Sequence, residues 1–402
     1  MSIIRGFKAL HPKKEYADKV AALPYDVYSE EEAKIEIQKQ PLSFLKVDLP
    51  IATLPKGTDP CEEKVYQKAK ENYEELKSKV MEKDDKPMLY IYGLNMGEHF
   101  QAGLVCTASA NDYINKVIKT HETTRIDKEN DRIKHIETLN AHTGSIFLLY
   151  KDQKRIDALI NKITEKKPCV DFTAPDKVRH RIWSVEDVDA GEFIKAFEKV
   201  ENLYIADGHH RAKAAVETAL RKRNSGANGD YDYFLAVIFS DKQVNLLDYN
   251  RVIKDLNSLS PEEFLKAIEK VFTIEKSAVP IKPSKKGEFG LYLDGWYKLN
   301  IKEDAGDDPV KSLDVSILQD RVLSPILGID NPRKDPRIDF VGGIRGLAEL
   351  EKRCSSDMRT AFSLYPVTTQ ELMKIADAGM NMPPKSTWFE PKLRSGLFIH
   401  EL

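Results

Sequence analysis

The sequence predicts a mixed α/β protein, and three observations carry that prediction. Helical and strand-like segments alternate along the chain. The 402 residues are 41% hydrophobic and 31% charged, an ordinary globular balance with enough apolar material for a sizeable core. A short apolar strand runs through a glycine turn at position 208 straight into an amphipathic helix.

In chain order, residues 3–10 read as a short strand ahead of Pro12. Ser29 caps a helix through Lys39, Glu32 completes a capping box, and Pro41 ends it. Residues 60–83 form a charged helix. Residues 88–92 and 100–106 are strands flanking the turn at Gly97. The polar helix at 129–140 places Ile133, Ile136 and Leu139 on one side. A strand at 145–150 and helices at 153–165 and 189–200 follow. The buried strand 203–206 leads into the helix from near His209, which carries Ala212, Ala215, Val216, Ala219 and Leu220 at i, i+3, i+4, i+7 and i+8. Residues 224–230 are a Gly/Asn loop, and 233–239 with 244–249 are expected to form a hairpin across Asp241-Lys242.

Three regions are expected. Residues 1–256 are an α/β region containing a phosphate-binding strand–turn–helix at 203–223. Residues 257–311 are a small α+β insert, opened by a helix capped at Ser260 and bounded by the polar turn 304–309. Residues 312–402 supply helices at 312–327, 343–354 and 369–377 and a last strand near 395–401, which returns to the first region.

Lys+Arg total 62 against 64 Asp+Glu, a net charge of −2, so no global basic field favours nucleic acid or acidic membranes. Cys61, Cys106, Cys169 and Cys354 are too scattered for a Cys-x-x-Cys pair or a disulfide scaffold. The first residues lack the apolar core of a signal peptide, and no apolar run approaches the roughly 18 residues of a membrane helix. A cytoplasmic, soluble protein in a reducing compartment is expected.

The densest chemical signal is Asp207-Gly208-His209-His210-Arg211. Glycine lets the backbone pass close to a ligand. The N–H groups at a helix start, with the positive end of its dipole, favour an anion such as phosphate. Arg211 and the two histidines add charge and donors, and Asp207 can hold Mg²⁺ or orient a histidine. The bland alternative is a capped helix with solvent-facing histidines. Zinc is a weaker rival, since adjacent histidines cannot both face one ion and no cysteine accompanies them.

A second signal is His121-Glu122 with Arg125 and Asp131-Arg132. The pair offers acid/base or metal-binding groups, and the arginines offer phosphate contacts; a well-capped solvated loop explains it equally well. Asp26, in Pro24-Tyr25-Asp26-Val27, is a carboxylate at a cleft edge or part of an Asx-turn. Lys385, Ser386 and Thr387, after two prolines, can touch a substrate or simply approach a buried strand packed by Trp388 and Phe389. Gly342-Gly343-Ile344-Arg345-Gly346 has neither Walker lysine nor dinucleotide spacing.

Taken together, Phe7-Lys8-Ala9-Leu10, Pro24 to Val27, His121-Glu122 with Arg125 and Asp131-Arg132, Ala206 to Arg211, Asn250-Arg251 and Met382 to Thr387 resemble a large bacterial and archaeal family known as a conserved domain of unknown function. The Asp-Gly-His-His-Arg segment is similar to that of SerK-type free serine kinases, of the ParB/sulfiredoxin superfamily. The resemblance implies a ParB/sulfiredoxin-like core with large N- and C-terminal elaborations. It also implies phosphoryl transfer to the hydroxyl of free L-serine, with Mg²⁺ and with ATP, ADP or pyrophosphate as donor. Carried over, Gly208, His209, His210 and Arg211 hold donor phosphates; Arg125 and Arg132, read from their own segment, are further candidate anion contacts. Asp207 binds Mg²⁺ or helps activate the hydroxyl, and His209 sits among the catalytic groups. The general base of SerK proteins lies outside the shared motif; Glu122 and Asp26 are the candidates here. His121, Lys385, Ser386 and Thr387 are the expected acceptor contacts, and nucleotide and serine the expected partners. Two other readings use the same residues: a nucleotide-switched, DNA-associated protein like ParB clamps, and a metal-dependent nucleotide hydrolase or nuclease.

Overall fold

The computed structural model describes every residue except 227, 228, 304 and 305. Parts of the expected Gly/Asn loop and of the polar turn at 304–309 therefore lie outside the described residues. The chain divides into two compact units, Met1–Val244 with Pro391–Leu402, and Asn245–Glu390.

The first unit is built on a nine-stranded mixed sheet. Its order is Ile118–Lys119, Leu203–Asp207, Ile146–Tyr150, Tyr233–Ser240, His99–Ser109, Tyr90–Met96, Arg179–Ser184 and Val170–Thr173, with Ile4–Arg5 paired beside His99–Ser109. Leu203–Asp207 lies parallel to Ile118–Lys119, and Tyr233–Ser240 parallel to Ile146–Tyr150; the other pairs are antiparallel. The central strands are buried along nearly their whole length and read as continuous apolar runs such as Ile146-Phe147-Leu148-Leu149-Tyr150.

Helix His209–Asn224 follows Leu203–Asp207 and buries Ala212, Ala214, Ala215, Val216 and Ala219. These side chains are small, so the helix can approach its neighbours closely. It packs against helix Ile126–Leu139, which ends on Asn140 in the left-handed conformation, φ 50°. The apolar stripe Ile133, Ile136 and Leu139 faces inward as expected, and it takes Arg132 and His135 in with it. The capping box at Ser29 and Glu32 forms, and its helix runs from Glu30 to Lys39. The last twelve residues thread back through this unit. Ser395 N–H donates to Ala22 at 2.8 Å, Ile399 N–H to Leu10 at 2.9 Å, and His400 pairs with His142.

The second unit is a six-stranded antiparallel sheet in the order Phe272–Ser277, Trp296–Ile301, Glu288–Tyr292, Thr360–Ser363, Tyr249–Ile253, Ile338–Gly342. Val252, Trp296, Val341, Leu350 and Ala361 form its core. The Ser260 capping box is present.

The expected hairpin across Asp241-Lys242 does not form. Tyr233–Ser240 is an interior strand with both hydrogen-bonding edges occupied, by Ile146–Tyr150 and by His99–Ser109. Asn245–Leu247 pairs instead with Trp388–Glu390, within the second unit. No helix among the described residues is long and apolar enough to cross a membrane.

Candidate functional site

Strand Leu203–Asp207 delivers Asp207 to its end, and Gly208 turns the chain with φ 94° before the helix begins at His209. That backbone region favours glycine. A Cβ at Gly208 would also lie 3.1 Å from two nitrogens of Arg211, because the guanidinium folds back over the turn. Arg211 Nη1 donates to the Ser145 carbonyl at 2.9 Å and Nη2 to Asp207 Oδ2 at 3.3 Å. Gly144 leaves room on the other side, where a Cβ would sit 3.1 Å from Arg211 Nη1.

Lys392, from the returning C-terminal segment, brings Nζ to 3.8 Å of Asp207 Oδ2. Burial opposes the Asp207 charge, but Lys392, then Arg211 and His209, outweigh it and hold the carboxyl below its usual range. Asp207 is thus an anion held between two cations at the start of a helix.

Behind this turn the histidines pack inward. His121 and His209 are 2% and 3% exposed, and their rings meet edge to face at 4.5 Å. The His121 N–H donates to His209 Nε2 at 3.4 Å, and the 121 ring has no hydrogen-bond partner at Nδ1. Glu122 Oε2 lies 3.6 Å from His209 Nδ1. Burial pushes His121 down to about 4; burial and then the neighbouring His121 push His209 well below the usual value. His210 is also lowered by burial, and its Nε2 accepts the Arg125 N–H at 3.1 Å. The expectation that these histidines add positive charge is corrected: desolvation keeps the two buried rings neutral at pH 7. The cation of the motif is Arg211.

The remaining residues divide. Arg125 is exposed and forks onto Asp127 at 3.1 and 2.7 Å. Arg132 is buried, pairs with Asp131 at 2.7 Å and stacks over Tyr25 at 4.3 Å. It shares a cleft with Tyr25 and Arg211. Asp26 is exposed beside Tyr25, and its charge reaches His210. Lys385, Ser386 and Thr387 belong to the second unit. There Ser386 Oγ donates to the Pro383 carbonyl at 2.7 Å, and the Lys385 ammonium lies 5.6 Å from the Tyr249 ring centre.

Sequence reasoning passed over three groups in this region: Lys392, Asp48 and His142. Lys392 lay only five residues beyond Thr387 in a segment already singled out. Asp48 and His142 carry no motif and reach the cleft only through the fold.

A family model described as "Protein of unknown function (DUF1015)" matches residues 4–316. No curated protein matches the sequence. Among solved structures, a free serine kinase variant in complex with ADP is similar at 13% identity and a TM-score of 0.38, over 74% of this chain and 92% of that one. SbnI with C-terminal truncation from Staphylococcus aureus is similar at 10% identity and a TM-score of 0.39, over 74% and 87%. A conserved hypothetical protein from Pyrococcus furiosus is similar at 15% identity and a TM-score of 0.35, over 74% and 94%.

Proposed function

The chain belongs to the DUF1015 family, and we propose that it is a small-molecule kinase that passes a phosphoryl group from a nucleotide to the hydroxyl of free L-serine. The observation that carries this reading is the turn at Asp207-Gly208, with Arg211 folded over it and Lys392 beside it. The first N–H groups of any α-helix lack partners within the helix. Here they adjoin a guanidinium and an ammonium, a donor set suited to terminal phosphates.

Phosphoryl transfer asks for positioning and charge neutralisation more than for an unusual nucleophile. Arg211 and Lys392 would offset charge on the equatorial phosphate oxygens as the acceptor oxygen bonds to phosphorus and the bridging oxygen leaves with the nucleotide. Glu122 and Asp26, both exposed, are the carboxylates that would take the hydroxyl proton. The neutral histidines 121 and 209 fix the geometry of the turn through their contact.

Among the described residues no group of three or more potential metal ligands gathers. The residues fit magnesium that arrives with the nucleotide, since Mg²⁺ commonly takes one or two carboxylates together with phosphate oxygens. Asp207 is the carboxylate that would hold it, and the ion would neutralise phosphate charge.

Phosphorus NMR of the full chain with Mg²⁺, L-serine and ATP, ADP or pyrophosphate in separate tubes tests the reading. An O-phosphoserine signal in one tube is expected, and that tube names the donor. Donor consumed without any phosphomonoester, or no consumption in any tube, would overturn the kinase reading.

A further inference from the structure

The C-terminal segment carries Lys392 to Asp207, and the chain just beyond it is held by a buried polar relay. Lys392 ends in an ammonium on a flexible four-carbon stem. Where its backbone is held therefore decides whether Nζ reaches its place 3.8 Å from Asp207 Oδ2. Arg394, two residues on, is 8% exposed. Its Nη2 donates to Asp176 Oδ2, in the loop between strands Val170–Thr173 and Arg179–Ser184. Its Nε donates to His180 Nε2 at 3.4 Å.

His180 is fully buried, its ring stacked between Phe172 at 5.1 Å and Tyr92 at 5.8 Å. Arginine donates and cannot accept, so His180 Nε2 is the acceptor of the Arg394 bond. The ring proton is then on Nδ1, 2.7 Å from the Tyr92 hydroxyl oxygen. Burial, and then the Arg394 charge, push His180 down to about 3 and keep it neutral. Asp176, Arg394, His180 and Tyr92 thus form one chain of hydrogen bonds. The next residue is fixed through its backbone. Ser395 N–H donates to the Ala22 carbonyl at 2.8 Å, and Ala22 N–H donates to the Ser395 carbonyl at 3.1 Å. Two residues of chain span at most about 7 Å, so a backbone pinned at 394 and 395 leaves Lys392 little freedom.

We infer that Arg394 is a positioning residue for the phosphate site: clasped by Asp176 and His180, it holds the C-terminal segment so that Lys392 stands beside Asp207. Arg394 acts on the donor phosphates only through Lys392. The inference rests on the kinase reading in taking the helix start at His209 for the donor-phosphate site, and it is indifferent to which hydroxyl compound is the acceptor. Arg394→Gln strands no buried charge. The Asp176 side chain is 40% exposed and can be hydrated, and the neutral His180 asks only for a neutral donor, which glutamine supplies.

The test is a double-variant cycle on the full chain, read by calorimetric titration with ADP. Arg394→Gln and Lys392→Ala should each weaken ADP about tenfold, and the double variant should also lose only about tenfold, because both changes remove the same contribution. A purely structural role for Arg394 would not produce that coupling. Asp176→Asn, at an accessible position, should weaken ADP about threefold in the same direction. The same cycle built on Asp176→Asn reads the clasp without touching Arg394. Thermal melts establish that each variant is folded. Unchanged ADP affinity in folded Arg394→Gln, or losses that multiply to about a hundredfold in the double variant, would overturn the role of Arg394 and leave the kinase standing. The expected cycle, with no phosphoserine formed by the natural chain, would keep the positioning role and sink the serine kinase. No ADP binding by the natural chain would overturn both.

Discussion

The two units treat their motif residues in opposite ways. In the second unit the polar groups of Asn250-Arg251 and of the 382–387 segment satisfy one another and the nearby backbone. Asn250 accepts the Leu364 N–H at 3.0 Å and donates to Asp248. Arg251 donates to the carbonyls of Tyr249 and Pro384. Ser386 donates to Pro383 at 2.7 Å. In the first unit the corresponding groups are gathered but not finished. Among its motif side chains His121 lacks a partner at Nδ1, His142 outside the motifs lacks one at both ring nitrogens, and a helix start adjoins Arg211 and Lys392. A buried polar group that is satisfied specifies a fold, and one left unsatisfied in a cleft is available to a ligand. Under the proposed function the chemistry belongs to the first unit.

The largest expected effect follows directly. Arg211→Ala should lower phosphoryl transfer about a thousandfold, the scale of losing a charge-stabilising donor; turnover within tenfold of the natural chain would erase the contrast. Next comes Gly208→Ala. Its φ of 94° and its 3.1 Å approach to Arg211 oppose a side chain, so stability should fall by about 1–2 kcal/mol and turnover by about tenfold as the guanidinium is displaced. Denaturant midpoints and initial rates read both changes.

A pH effect sharpens the same point. The folded protein holds His121 and His135 at about 4 through burial, with Arg132 adding to the shift at His135. The unfolded chain takes up those protons near pH 6.5. Between the two values the unfolded state binds more protons, so stability falls as pH drops from about 6.5 towards 4. Denaturant midpoints at pH 7 and pH 5 should differ in that direction, and His121→Gln should flatten the slope. Equal midpoints would show that burial does not keep these rings neutral. The smallest effect belongs to Lys385→Ala, which should change turnover by less than about threefold if that segment is scaffold. A tenfold rise in serine KM would move the segment into the site and break the contrast from the other side.

What the sequence made legible was local. The capping boxes at Ser29 and Ser260, the stripe Ile133-Ile136-Leu139 and the strand–glycine–helix at 203–209 depend on residues within a few positions of one another, and each appears as read. The 241–242 hairpin failed because adjacency in sequence says nothing about which strand already occupies an edge. The site was half legible for the same reason. Asp207 to Arg211 carry their own turn, whereas Lys392 meets Asp207 only after the C-terminal segment has threaded back through the first unit. His142 and Asp48 carry no spacing signal; only the fold buries them in one wall, where Asp48 accepts from Thr143 and both ring nitrogens of His142 are left without partners. The neutrality of the histidines is likewise a property of burial, which residue type alone does not give.

The central claim is that the helix start at His209 holds the donor's phosphates through Arg211. Titration of ADP into the natural chain and into Arg211→Ala, each checked by thermal melt, tests it most directly. The account predicts ADP binding at least about tenfold weaker in the variant, as expected for loss of a charge-assisted contact to phosphate. Equal ADP affinity in a folded Arg211→Ala would contradict it.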